Sequence, residues 1–266
     1  MVCERALLGM FQFQIASIGS NQERRNYRTM ATQYPIFSTD DLGWLTAPQM
    51  LEVDRIMMED LQIELIQMME NAGRNLAQLI LDRYQPASVT VLAGSGGNGG
   101  GGLVAARNLA NRGVDVSVTL GQPAENLGPV PAHQLDILNR MSVPIEDEPR
   151  TSDVVIDALI GYSLKGEPRG RIAELIEATA SMDSPIVSLD NPSGLNVTDG
   201  TVPGVVVQAD ATMTLALPKI GLRDSSEVGA LFLADISVPP FVYDSVGVTP
   251  APDFTTSTLI EVTMGD

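Results

Sequence analysis

Three times between Ser88 and Met182 a short apolar run of strand character is followed by a stretch with helical spacing. The pairs are "SVTVL" with "LVAARNLANR", "VDVSVTL" with "VPAHQLDILNRM", and "DVVIDAL" with "GRIAELIEATASM". Three more strand-like runs follow, "PIVSLD", "ATMTLAL" and "GALFLADI". Strands this apolar, alternating with amphipathic helices, predict an α/β fold with a mostly parallel sheet covered on both faces. At 266 residues the chain is long enough for one large domain of this kind, and no internal repeat interrupts it.

Two helices precede the first strand. Thr46 and Gln49 form a Thr-x-x-Gln capping box, with Pro48 in the first turn. Met50, Val53 and Met57 then share a face. In "IELIQMMENAGRNLAQLILDRY" the residues Leu65, Met69, Ala72, Leu76 and Ile80 recur at spacings of three and four. Such methionine-rich stripes read as core packing, because an unbranched thioether fills irregular gaps.

The ends differ from the middle. Residues 1–36 carry Arg5, Arg24, Arg25 and Arg28 with few acids. They read as an N-terminal extension: a transit peptide, or an arm upstream of a start at Met30. The domain is expected over 37–250. Residues 251–266 are expected as a C-terminal tail.

Charge and composition exclude several function classes. The net charge is −17, which disfavours a polyanion such as a nucleic acid, or an anionic lipid surface. A pocket for one phosphate is still open to such a chain, since backbone amides alone can make it. The single cysteine, Cys3, excludes an internal disulfide and a cysteine zinc cluster. The single histidine, His133, disfavours a serine–histidine–aspartate triad and reads as a helix-surface residue. Low cysteine use fits a reducing compartment, and a cytoplasmic location is expected. No apolar run approaches the ~18 residues a membrane span needs, so no membrane partner is expected.

Between the first strand and its helix lies "VLAGSGGNGGGG", Val91 to Gly102, with seven glycines. In a parallel sheet ligands bind beyond the carboxyl ends of strands. Glycine admits positive φ and close approach of an anion to the backbone amides. A helix beginning near Leu103 would aim its free N–H groups there. The run therefore reads as a phosphate cradle, with a plain tight connection as the alternative. It departs from the G-x-G-x-x-G spacing, and no Lys-Ser/Thr follows it, which weakens a dehydrogenase and a P-loop NTPase alike.

Two further strand ends carry carboxylates. Asp157 ends "VVIDAL", ahead of a loop with Gly161, Ser163, Lys165 and Gly166; Asp190 ends "PIVSLD", ahead of Pro192, Ser193 and Gly194. A carboxylate atop an apolar strand is costly to bury without a partner. Each aspartate alone reads equally well as a turn-former. Both at one sheet edge, beside the glycine run, point to a site.

Six stretches then occur in order: "LTAPQM…D", "MMENAG", "GSGGNGGGGLVAAR", "DALIGYSLKG", "LDNPSGLNVTDG" and "ALPKIGL". Together, from about Leu45 to about Pro240, they resemble the YjeF N-terminal domain family of NAD(P)H-hydrate epimerases. The resemblance implies a Rossmann-like three-layer α/β/α sandwich. It implies interconversion of the R and S forms of hydrated NADH or NADPH (NADHX and NADPHX), a repair of damaged cofactor. That substrate carries a hydroxyl beside the ring nitrogen. It implies a potassium ion held by Asn98, Asp157 and Ser193, hard oxygen donors that suit an alkali cation. Substrate contacts map to Asn71; to Gly97, Asn98, Gly99, Gly100 and Gly101; to Gly161, Tyr162, Ser163, Leu164, Lys165, Gly166 and Glu167; and to Asp190. Asp190 is the candidate acid/base, with Lys165 or the cation balancing its charge. The partner is the small-molecule substrate, and self-association as a homodimer follows by analogy.

The chain departs from the family loop G-x-G-N-N-G-G-D-G at two places, where Gly97 stands for asparagine and Gly101 for aspartate. Two functions are therefore weighed: an active epimerase, and a catalytically impaired nucleotide-binding or interaction module on the same fold. Retention of Asn98, Asp157, Lys165, Asp190 and Ser193 favours the first.

Overall fold

The structure, a computed structural model, describes residues 34–263; the bulk of the expected N-terminal extension, with Cys3 and Met30, lies outside the described residues. Among these, one sheet is built from β1 (Ile36–Ser38), β2 (Ser88–Ala93), β3 (Asp115–Leu120), β4 (Ile145–Glu146), β5 (Val154–Ala158), β6 (Ile186–Leu189), β7 (Ala211–Leu215), β8 (Ala230–Ala234) and β9 (Leu259–Thr263). The helices are α1 (Ala47–Arg55), α2 (Leu65–Tyr84), α3 (Gly97–Ala110), α4 (Pro129–Arg140), α5 (Gly170–Thr179) and α6 (Pro240–Ser245).

The strand order is β1-β9-β8-β7-β6-β5-β2-β3-β4. Every pairing is parallel except β8 with β9. The chain leaves β2 for β3 and β4 on one side and returns to β5 on the other. Neighbouring loops diverge there, which opens a crevice at the carboxyl ends of β2 and β5.

Alternation along β5 shows why helices cover both faces. Val154, Ile156 and Ala158 join the large core with Leu76 of α2, Leu103 of α3 and Leu135 of α4. Val155, on the other face, packs with Leu175 and Ile176 of α5. The expected three-layer sandwich is thus formed. The capping box is present as read: the Gln49 amide donates to Thr46 Oγ1 at 3.3 Å, and the Thr46 amide to Gln49 Oε1 at 2.9 Å. Met50, Val53, Met57, Met68 and Met69 are buried in the core, and His133 is exposed on α4.

Three expectations are corrected. The C-terminal stretch is not a loose tail, because Leu259–Thr263 forms β9 and pairs with both β8 and β1. Ile36, assigned to the extension, already belongs to the sheet. And α3 begins at Gly97, so the glycines are its first turns. None of Gly94, Gly96, Gly97 or Gly99–Gly102 has a positive φ. Close approach is what excludes side chains here. A Cβ on Gly99 would land in the Gly94 carbonyl, and one on Gly102 would lie 2.5 Å from Ala158 Cβ. The tight seat of α3 against the strand ends outweighs glycine's poor helix propensity, roughly 1 kcal/mol per residue.

Candidate active site

The crevice at the switch point is a cleft of about 780 Å³. Its walls are mostly apolar, with Met50, Leu51, Leu65, Met69, Ile160 and Ile236 among them. Polar groups enter from three strand ends. Ser95, Gly96, Gly97 and Asn98 follow β2; Gly161, Tyr162 and Ser163 follow β5; Asp190 follows β6. A large apolar cleft with a few convergent polar groups is the usual form of a small-molecule site.

The β2 end supplies amides. The N-cap of α3 is Gly96, and no side chain caps the helix. The first helical N–H groups therefore lack a side-chain acceptor and, with the positive end of the helix dipole, suit an anion. Gly97 has room: its Cβ would come no closer than 3.7 Å to any neighbour. Gly101 is different, since a Cβ there would meet Leu189 at 2.8 Å, with Met69 and Ala72 beyond. The position where the family carries aspartate is here an apolar seam, so its glycine costs the cleft no polar lining group.

Asp157, on β5, is fully buried, and partners offset the cost of that burial. Its Oδ1 accepts from Ser193 Oγ at 2.5 Å and the Leu159 amide at 3.3 Å. Its Oδ2 accepts from Ser188 Oγ at 2.7 Å and the Ser193 amide at 2.8 Å. Burial pushes this carboxyl above the usual range, and the donors, Ser193 first, oppose that shift.

Asp190 sits directly after β6 in a left-handed conformation, φ 68°, and lines the cleft. Its Oδ2 accepts the Tyr162 amide at 3.1 Å, and its Oδ1 forms a buried ion pair with Lys219 Nζ. Lys219 also donates to the Leu215 carbonyl at 2.9 Å and Thr214 Oγ1 at 3.2 Å. The "LPKIG" turn after β7 is fixed by bonds from Leu45 N to the Pro218 carbonyl and from Ile220 N to the Leu45 carbonyl, both 2.9 Å. This turn holds the ammonium under Asp190 with no solvent exposure.

The structure therefore sorts the residues expected from the sequence. Gly97, Asn98, Gly161, Tyr162, Ser163 and Asp190 meet at the cleft. Gly99, Gly100 and Gly101 are buried packing positions of α3, outside its lining. Asn71, Leu164, Lys165, Gly166 and Glu167 also lie outside it. Lys165 is exposed and is not the counter-charge; Lys219 is. Ser193 meets Asp157, whereas Asn98 packs beside Gly161, whose Cβ would lie 3.3 Å from both Asn98 Cγ and Asp190 Oδ2. Two residues of the site, Asp54 in the cleft wall and Lys219 buried behind Asp190, are ones the sequence reading misses, although both stand within the quoted motifs, in "LTAPQM…D" and "ALPKIGL".

The architecture is that of a doubly wound α/β protein with a small-molecule site at its switch point. Residues 65–221 match the family described as YjeF-related protein N-terminus, and this chain belongs to it. A protein of Dehalogenimonas lykanthroporepellens called NAD(P)H-hydrate epimerase is 46% identical over 227 residues, covering 82% of this chain and 92% of that one. One of Truepera radiovictrix with the same name is 39% identical, over 70% of this chain and 86% of that one. The bifunctional NAD(P)H-hydrate repair enzyme of Salinibacter ruber is 36% identical over 77% of this chain, which spans 43% of its length. The crystal structure of yeast YNL200c superimposes with a TM-score of 0.71 at 25% identity, covering 82% of this chain and 99% of the yeast one.

Proposed function

We propose that this chain is an NAD(P)H-hydrate epimerase that inverts the hydroxyl-bearing carbon beside the ring nitrogen of hydrated NADH or NADPH. The observation that carries this reading is Asp190, a carboxylate backed by a buried ammonium yet open to a cleft whose other wall is the uncapped start of α3. The helix amides suit the pyrophosphate, and the apolar walls suit the hydrated nicotinamide ring. Asp190 then serves as general acid/base at the hydroxyl, a contribution of about 10²–10⁴-fold in rate. Lys219 fixes the carboxylate's position.

Potassium is part of the proposal. Among the described residues no three His, Cys, Asp or Glu side chains gather as a metal site. The candidate donors are instead an amide, a hydroxyl and one carboxylate, a hard set that fits an alkali cation. The Asn98 side-chain nitrogen is buried without a partner; with the amide turned over, its oxygen would stand at that position, where a cation would satisfy it. Asn98, Asp157 and Ser193 would hold the ion, which would join the four donors already on Asp157. Bound there, it supplies a fixed positive charge beside the strand ends.

The alternative of an impaired module rested on Gly97 and Gly101. Gly97 leaves the cradle's amides in place, and Gly101 faces Leu189. The polar groups of the cleft favour the enzyme. Self-association is proposed through Leu51 and Met58, exposed apolar residues at the cleft mouth. Cytoplasmic residence is likewise proposed, from the single cysteine.

The test couples this protein to an S-specific dehydratase supplied with the R-hydrate of NADH. Consumption faster than with the dehydratase alone supports the epimerase. No acceleration, with measurable dinucleotide binding, supports the binding module.

A further inference from the structure

A second carboxylate faces the cleft without a role so far. Asp54, near the end of α1, lines it together with Tyr162 and Asp190. Its Oδ2 accepts a 2.6 Å hydrogen bond from the Tyr162 hydroxyl, and among the described residues its other oxygen accepts none. The backbone amide of the same tyrosine donates to Asp190 Oδ2 at 3.1 Å. Tyr162 thus spans two carboxyl groups that reach the cleft from different walls, one from α1 and one from the end of β6.

Their surroundings differ in sign. Asp190 has the ammonium of Lys219 in contact. Asp54 has only the neutral phenol. The nearby cation on its own helix, Arg55, is engaged by Glu52 at 2.8 Å, Asp60 at 3.1 Å and Glu59 at 3.4 Å. Burial pushes the Asp54 carboxyl above the ordinary carboxylate range; the phenol and Lys219 pull it back, and the charge of Asp190 adds to the rise. Burial and the nearby Asp54 charge also raise the Tyr162 phenol, which therefore remains a donor. Two carboxyls at one cleft, one beside a phenol and one beside an ammonium, suit a division of acid and base roles.

The chemistry needs both roles. Inverting the carbon beside a ring nitrogen requires, in each turnover, a proton given to one atom and a proton taken from another. Resting on the epimerase reading, we propose that Asp54 is a second catalytic residue of this site, the acid that complements Asp190 as base. By C–O cleavage, Asp54 protonates the departing hydroxyl, which leaves as water while the nitrogen lone pair forms a C=N bond. Water then adds to the opposite face, the C=N pair returns to nitrogen, and Asp190 takes the water's proton. By ring opening, Asp190 takes the hydroxyl proton as the aldehyde forms, and Asp54 protonates the nitrogen as the C–N bond breaks; rotation and closure reverse the transfers. By the C–O route the carboxyls end with their protons exchanged and reset through water in the cleft; by ring opening the closure resets them.

The test measures kcat and KM against pH for the wild type, Asp54→Asn and Tyr162→Phe in the coupled assay, with thermal unfolding to confirm folding. Asp54→Asn is expected to lower kcat about 10²–10⁴-fold with KM changed little, as for loss of a general acid. The wild-type kcat is expected to fall on the alkaline side as Asp54 ionises. Tyr162→Phe removes a hydrogen bond that favours the ionised carboxylate, so that limb is expected to move to higher pH, a shift that a purely structural role would not produce. If Asp54→Asn does not fold, the Tyr162→Phe shift decides. An active wild type with Asp54→Asn within threefold of it, or with the limb unmoved in Tyr162→Phe, overturns the proposal alone. A wild type without activity overturns the epimerase reading and this proposal with it.

Discussion

Two neighbouring strands end in aspartate, and the fold surrounds the two carboxylates in opposite ways. Asp157 on β5 is enclosed by four neutral donors and does not reach the cleft. Asp190 after β6 is paired with an ammonium, carries a left-handed backbone and does reach it. A non-glycine residue held in that region costs about 1–3 kcal/mol and persists only where its surroundings fix it. Four neutral donors make Asp157 a tie between β5, β6 and the Ser193 turn. An ammonium on one oxygen, the Tyr162 amide on the other and a place in the cleft wall set Asp190 apart from that tie.

The largest expected effect removes the ammonium. Lys219→Met leaves Asp190 as a buried charge without its partner and is expected to cost about 3–5 kcal/mol in urea unfolding. A loss below about 1 kcal/mol would break the contrast between the two sites. Gly101→Asp sharpens it by adding a third carboxylate at the same sheet edge, facing the apolar side chains of Leu189, Met69 and Ala72. Overpacking of about 1–3 kcal/mol plus the burial penalty should lower the unfolding midpoint markedly.

Asp157→Asn is expected to lose about 1–3 kcal/mol, because an amide nitrogen cannot accept from the Ser193 N–H or from Ser188. The same urea titration checks it. Asp54 gives a pH signature. Its folded pKa is raised, so the folded state binds the proton more tightly than the unfolded one. Its contribution is therefore greatest at low pH and declines as pH rises from the ordinary carboxylate value through the raised one. Asp54→Asn should flatten that part of the profile of melting temperature against pH. The smallest effect is at Gly97→Asn, which restores the family residue where space exists. Stability should stay within about 0.5 kcal/mol, with the epimerisation rate retained.

Much of this was legible from residues alone. The β2–α3–β3 and β5–α5–β6 units follow from apolar runs alternating with amphipathic stretches, and both strand-end aspartates from their place after such runs. The start of α3 at Gly97 was not, because glycine argues locally against a helix and only packing on Gly94 and Ala158 seats it. Strand β9 escaped because its pairing with β1 is separated from it by most of the chain, and no local pattern encodes that partner. Lys219 was visible in a motif but unassigned. Its role depends on the Leu45–Lys219 bridge that folds the turn after β7 under Asp190, a contact with no sequence period.

The most direct test of the central claim follows equilibration of the R and S hydrates of NADH by proton NMR, with wild type and Asp190→Asn at equal folded concentration. The account predicts that wild type speeds the interconversion and that Asp190→Asn slows it by at least about ten-fold, within the range for a lost acid/base group. Equal rates for the two proteins would contradict it.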